Sequence, residues 1–189
     1  YAYVASDSSG LRVINIANPA NPTESGFYDT AGGSYGIAVS APYAYVADGA
    51  AGLRIINISD PAHPSGTGSY DTPGTALGVA VVGNYAYVAD GNAGLRIIDV
   101  SNPASPTETG SYTDLGYASQ VAVAGNYAYV AGGGLSIIDV SNPRQPNRVG
   151  SYSMSDSAFG VAVAGRYAYV ANAYTRPGCK IRSGPARRR

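Results

Sequence analysis

Residues 85–126 read YAYVADGNAGLRIIDVSNPASPTETGSYTDLGYASQVAVAGN, and the pentapeptide that opens them, YAYVA, begins at positions 1, 43, 85, 127 and 167. The spacings are 42, 42, 42 and 40 residues. A period near 40 in a Gly- and Tyr-rich chain without helical patterning points to a blade-type β repeat.

Four short strands can be read from the unit. Residues 85–89 are strand formers, residues 90–94 (DGNAG) make a turn, and residues 95–100 return as the hairpin partner. Asn102-Pro103 and Pro106 interrupt the ladder, because Pro has no N–H and biases its neighbour to extended geometry. Residues 107–112 form a third, outermost strand and residues 120–124 a fourth, which turns on Gly125-Asn126 into the next YAYVA. In LRIIDV one face carries Leu95, Ile97 and Asp99 and the other Arg96, Ile98 and Val100, so the sheet is apolar on both sides. Such a sheet needs a neighbour on each face, which blades stacked around an axis provide. The small residues of VAVAG (121–125 and 161–165) suit strands that converge on the axis.

The segments LRVINIANP, LRIINISDP, LRIIDVSNP and LSIIDVSNP, with YAYVADG before them and GSYDT after, resemble the LVIVD repeat of bacterial and archaeal surface proteins. The resemblance covers residues 1 to about 174 and implies an all-β propeller of four-stranded blades in a cell-surface or extracellular setting. It implies no established activity. The absence of Trp counts against the WD-repeat family despite its similar period.

About four repeats are present. The parse gives a partial blade at 1–28, whole blades at about 36–70, 78–112 and 120–152, and a half blade at about 160–172. Propellers have about 4 to 8 blades. An incomplete piece of a larger propeller is the preferred reading, completed by the remainder of the parent or by another chain. In the alternative, residues 160–164 complete the first blade and close a tight four-bladed ring, leaving residues 167–171 surplus. Residues 175–189 follow the last YAYVA with a Cys and a burst of Arg instead of a Gly-Leu hairpin return. This basic, non-repeat tail reads as a disordered or artefactual end that does not continue the blade. A basic anchor for anionic lipid or nucleic acid is the competing reading.

Over residues 1–175, six basic residues stand against twelve acidic ones, a net charge of −6 that argues against nucleic acid as a partner. The 189-residue chain, 45% hydrophobic, is long enough for one sizeable core, and it has no run approaching the roughly 18 apolar residues of a transmembrane helix. Its only Cys is Cys179, so the repeat body has no disulfide or thiolate metal site, which suits an oxidising exterior.

Each candidate for chemistry has a plainer reading. Gly32-Gly33-Ser34-Tyr35-Gly36 matches the G-x-S-x-G elbow, but Ser34 lies in an inter-blade loop and becomes Ala76, Ala118 and Ala158 in the other units. His63, the only His, belongs to a solvent-facing loop. Asp48-Gly49 and Asp90-Gly91 lack the further oxygen ligands of a calcium loop. Asp48 accompanies Arg54 and Asp90 accompanies Arg96, while the shortened unit GGGLS (132–136) lacks both. A structural pair across the hairpin mouth is expected, worth only about 0.2–1 kcal/mol if exposed. The four P-x-x-P segments read as rigid connectors rather than docking motifs, and Asn57-Ile58-Ser59, a sequon by pattern, falls at a strand end.

Seventeen Tyr are present, ten of them in the YAYVA copies. Burying one ring removes about 150–250 Å² from water, roughly 4–6 kcal/mol gross, so blade packing is their default use and carbohydrate stacking the alternative. The loops before the inner strands (30–35, 72–77, 114–119 and 153–159) vary most between units. If there is a ligand face, its first candidates are Ser34, Tyr35, Thr75, Leu77, Tyr117, Ser119, Asp156 and Phe159. No catalytic, cofactor or metal residues are assigned. The expected function is a non-catalytic platform for a protein or carbohydrate ligand. The alternatives are an enzyme with a site at the axial channel mouth, or a structural spacer. The inner strands offer Val, Ala, Ile and Gly plus Gln120, with no Asp or Glu, which disfavours the enzyme.

Overall fold

The computed structural model describes residues 1–172, and every regular element among them is a β-strand. The expectation for the basic tail, residues 175–189, lies outside the described residues. The first sheet holds β1 (Ala2–Ala5), β2 (Leu11–Asn15) and β3 (Thr23–Tyr28). The second is β4 (Gly36–Ser40), β5 (Tyr43–Ala47), β6 (Leu53–Asn57) and β7 (Ser65–Tyr70), and the third is β8 (Gly78–Val82), β9 (Tyr85–Ala89), β10 (Leu95–Asp99) and β11 (Thr107–Tyr112). The fourth is β12 (Ala118–Ala124), β13 (Tyr127–Gly132), β14 (Gly134–Asp139) and β15 (Asn147–Ser153). The fifth contains β16 (Ala158–Ala164) and β17 (Tyr167–Asn172).

All pairings are antiparallel between strands consecutive in sequence, giving meandering blades and no closed ring. The tight-ring alternative required residues 160–164 to join the first sheet. They pair instead with β17, and β1 pairs only with β2. The inner strands run two residues further than expected in the fourth and fifth sheets, where β12 and β16 begin at Ala118 and Ala158. Inner strands touch their counterparts, β8 meeting both β4 and β12, and β12 meeting β16, so the small residues of these strands gather at the axis.

The two-sided burial expected of LRIIDV is what orders the sheets. Tyr45, Leu53 and Ile55 of the second sheet pack against Ala86, Val88, Ile98 and Val100 of the third. On the third sheet's opposite face, Tyr87, Leu95 and Ile97 pack against Ala128, Val130, Ile138 and Val140 of the fourth. Leu11 and Val13 of the first sheet meet Ala44, Val46, Ile56 and Ile58 of the second in the same way. One Tyr face and one Ala/Val face therefore make each interface, using the two-residue alternation of a strand. Burial pushes the Tyr45 and Tyr87 hydroxyls up from their ordinary value, Tyr43 and Tyr85 adding smaller repulsions.

The proline segments occupy the loops between the two outermost strands of each of the first four sheets. Asn57, Asp99 and Asp139 accept the backbone N–H two residues on, from Ser59, Ser101 and Ser141, at 2.8–2.9 Å. These local turns start the loops, and any residue with a short side-chain carbonyl or carboxylate serves. Each loop then leans on the outer strand of the preceding blade. A Cβ on Gly68 would meet the Pro103 carbonyl oxygen, and one on Gly110 the Pro143 carbonyl oxygen, so both positions need a residue with no side chain. Gly150 occupies the same place in the fourth blade, yet a Cβ there would meet only Ile137, at 3.6 Å.

This contrast supplies a test. Gly110→Ala is expected to cost about 1–3 kcal/mol through overpacking, while Gly150→Ala stays within about 0.5 kcal/mol. Urea unfolding of the two variants beside the parent chain measures the difference.

Candidate functional site

The hairpin that follows each YAYVA and the connector that leads into each inner strand lie at one end of the sheets. Backbone bridges tie each hairpin to the connector leaving its own blade: Asp7 with Ser34, Gly49 with Ala76 and Gly91 with Ala118. Gly94, at φ +82°, closes the hairpin in a conformation that only Gly adopts without strain. The hairpin thereby delivers the side chain just before it, Asp48 or Asp90, towards the connector on its other side.

Asp48 and Asp90 are fully buried, so the exposed case, in which the pair would be worth only about 0.2–1 kcal/mol, does not apply. Asp48 accepts hydrogen bonds from Thr30 Oγ1 at 2.5 Å, Ser34 Oγ at 2.9 Å and the Gly32 amide at 2.9 Å. Asp90 accepts from Thr72 Oγ1 at 2.6 Å and the Gly74 amide at 2.9 Å. Charge-assisted bonds of this kind are about twice as strong as neutral ones. The expected arginine partners are present, but Arg54 Nε and Arg96 Nε stand 3.6 Å from the carboxylates, beyond hydrogen-bond length, and neither nitrogen has another partner. Arg96 also reaches Glu108 at 3.4 Å, and Glu108 receives the Tyr70 hydroxyl of the preceding blade at 3.3 Å. The carboxylate is thus mainly a latch on the connector, with the arginine as its counter-charge.

Burial pushes the Asp90 carboxyl above its ordinary value of 3.8, against the opposing pull of the Thr72 and Gly74 hydrogen bonds and the Arg96 charge. For an acid whose folded pKa is raised, the stability contribution is complete below the unfolded pKa and is lost as pH rises through the folded one.

The fourth blade lacks the latch. Gly132 stands where Asp90 does, Ser136 replaces Arg96 and Asp114 replaces Thr72. The connector moves in, so that a Cβ on Gly132 would run into the Tyr117 carbonyl oxygen. Arg148 approaches the Asp114 carboxylate at 3.6 Å and its carbonyl oxygen at 3.3 Å. Ser119 Oγ, within 3.0 Å of the Ala131 carbonyl and 2.7 Å of the Ala158 carbonyl, ties β12 to the following connector.

The candidate ligand-face residues therefore divide. Tyr35, Tyr117 and Phe159 expose 55%, 42% and 59% of their surface, and Thr75 is also exposed. Leu77 and Asp156 are half-buried, as is Ser119, whose hydroxyl is engaged as described. Ser34 is buried with its hydroxyl on Asp48 and 2.8 Å from Thr30 Oγ1, so it is part of the latch rather than the loop surface. No helix follows it, as a nucleophile elbow would need. His63 is solvent-exposed in a proline loop, 2.9 Å from Asp60. Among the described residues no cluster of three or more His, Cys, Asp or Glu could hold a metal ion. No helix among them is long and apolar enough to cross a membrane.

Thr30, Thr72 and the two glycine amides escaped the sequence reading. A signal existed, since Thr30 and Thr72 precede the blades that carry Asp48 and Asp90, and Asp114 takes that place before the blade that does not.

Asp90→Asn removes the negative charge beside Arg96 and leaves only neutral acceptance of the Gly74 N–H, with the amide N–H₂ turned to Thr72 Oγ1. It is expected to cost about 2–3 kcal/mol, a fall in Tm of roughly 5–10 °C for a chain of this size. The stability difference between the parent and this variant is expected to shrink as pH is raised from about 4 to 7, in keeping with the raised Asp90 pKa. Denaturant titrations at several pH values measure both effects.

The whole chain was compared with known proteins. The LVIVD repeat matches five successive segments, residues 1–30, 31–72, 73–114, 115–154 and 156–174. A search of curated proteins finds no match. The matched segments from 31 to 154 each contain one connector and the four-stranded sheet it leads into. With this repeat covering nearly its whole length, the chain belongs to the LVIVD repeat family.

Proposed function

We propose that this chain is a non-catalytic, extracellular or cell-surface binding platform whose ligand face is the connector end of the blades. The observation that carries this reading is the contrast between a fastened frame and a variable surface. Buried carboxylates pin the connectors of the second and third blades. Tyr35 and Thr75 are exposed on those pinned connectors, and Tyr117 and Phe159 on the two that follow, so the exposed positions change from unit to unit. Rigid mounting keeps low the ordering cost that binding would otherwise incur, and exposed aromatic rings suit stacking on protein or sugar surfaces.

A protein or a carbohydrate is the ligand class, and nucleic acid is disfavoured by the net charge of −6 over residues 1–175. The extracellular setting draws on the surface proteins this repeat is known from and on the confinement of the only Cys to position 179. The remainder of a parent propeller, or another chain, covers the outer sheets. In support, Val4 is 43% exposed where its counterpart Val46 is wholly buried, and Tyr169 is 45% exposed where Tyr87 is 5%.

Screening the chain on arrays of bacterial glycans and purified surface proteins tests the reading. The Tyr35→Ala/Phe159→Ala double variant is expected to lose about tenfold or more in affinity for a protein or polysaccharide ligand, which spans several connectors, with an unchanged Tm. Absence of any ligand would favour the spacer, and turnover of a substrate would favour the enzyme.

A further inference from the structure

In the third blade the row Val88–Arg96–Ser111 crosses β9, β10 and β11. The side chain of Arg96, with Asp90 beside it, fills the space between this row and the preceding connector. The same row in the fourth blade is Val130–Ser136–Ser151. Here the arginine has become a serine and the aspartate a glycine. The space opens into a cavity of about 180 Å³ lined by connector residues Leu115 and Tyr117 and by Ser136, Arg148 and Ser151.

The chemistry of this cavity is a latch with one half removed. Among the described residues, Arg148 is the one charged residue lining it. It occupies the strand position of Glu108, which in the third blade reaches Arg96 at 3.4 Å. A guanidinium has therefore been kept at the slot, supplied from β15 instead of β14, while the buried carboxylate has been lost. Among the described residues, the only carboxylate on Arg148 is that of Asp114, 3.6 Å away and 85% exposed, a weak partner that a better-seated anion displaces. The chain cannot restore its own carboxylate, because the Tyr117 carbonyl lies where a side chain at position 132 would begin. Ser136, Ser151 and Tyr117 also line the cavity, hydroxyl-bearing residues whose chemistry suits a hydroxylated ring. The volume is below the roughly 300 Å³ of drug-sized pockets and suits one ring.

We propose that this slot binds the carboxylate of a small, hydroxyl-bearing acid of single-ring size, the chemistry of an acidic sugar residue such as a uronate. The proposal rests on the binding-platform reading and names a ligand class for it. The carboxylate sits against Arg148 in the space that the Arg96 side chain fills in the third blade.

Two-dimensional amide NMR of the full chain, titrated with glucuronate and separately with glucose, tests the slot. Glucuronate is expected to shift amides of residues 115–117, 132–136 and 148–152, with glucose at least about tenfold weaker. Arg148→Gln, at a side chain 39% exposed, should leave Tm unchanged and weaken glucuronate about tenfold. Ser136→Arg should refill the slot and abolish binding, while Tyr35→Ala/Phe159→Ala should leave glucuronate affinity as it was. Equal binding of glucose, shifts confined to other residues, or full affinity in Arg148→Gln would overturn the proposal. If glucuronate fails to bind while an array ligand is held through Tyr35 and Phe159, the slot is refuted and the platform stands. If neither ligand binds, both are refuted.

Discussion

Each sheet of this protein is apolar on both faces, and most of its architecture follows from that constraint. Ile97 and Ile98 are adjacent in sequence and both fully buried, yet they belong to different cores, one shared with the fourth sheet and one with the second. A strand that buries consecutive residues has no face left for water, so it requires protein on either side. Stacking the sheets meets that need with one interface repeated: the Tyr and Leu/Ile side of a blade against the Ala, Val and Ile side of the next. The inner strands must then converge, which their Ala and Gly content permits, and the outer strands must accept the next blade's proline loop, which Gly68 and Gly110 permit by having no side chain.

The stacking leaves one place where polar atoms must be buried, the end at which hairpins and connectors cross. There the chain uses a carboxylate. Asp48 and Asp90 each take up a connector amide and at least one hydroxyl, so groups removed from water keep a partner. The energy of such a site comes less from the ion pair, whose nearest nitrogen is 3.6 Å away, than from the cost of leaving connector donors unmet. Loss of the latch from the fourth blade is accommodated by a hairpin two residues shorter and an inward shift of the connector. The cavity beside Arg148 is what that rearrangement leaves. One repeat position thus does two different jobs, fastening the frame in two blades and opening a polar slot in another.

How much of this the sequence shows depends on the range of the interaction. The 42-residue recurrence of YAYVA, the turn residues and the two-residue alternation of LRIIDV are local, and they led to the strands, their order and the need for neighbours on both faces. The pairing of Asp with Arg was visible by their joint loss from the shortened unit. Its burial was not, because the atoms that cover Asp90 come from Thr72 and Gly74, 18 and 16 residues earlier in the chain. The same distance hid the role of Ser34, which looked like a loop serine and is a buried donor to a carboxylate in the following blade.

The sequence by itself determined the repeat, the antiparallel blade and the family, since each rests on residues that are neighbours along one strand or one turn. Only the tertiary structure decided which faces meet, that the ring does not close on β1, and that the aspartates are buried latches. Only the fold, too, shows that the loss of two side chains in the fourth blade leaves a cavity lined by an arginine. Burial and cavity volume are properties of atoms that approach from other blades, and no spacing within a single repeat reports on them.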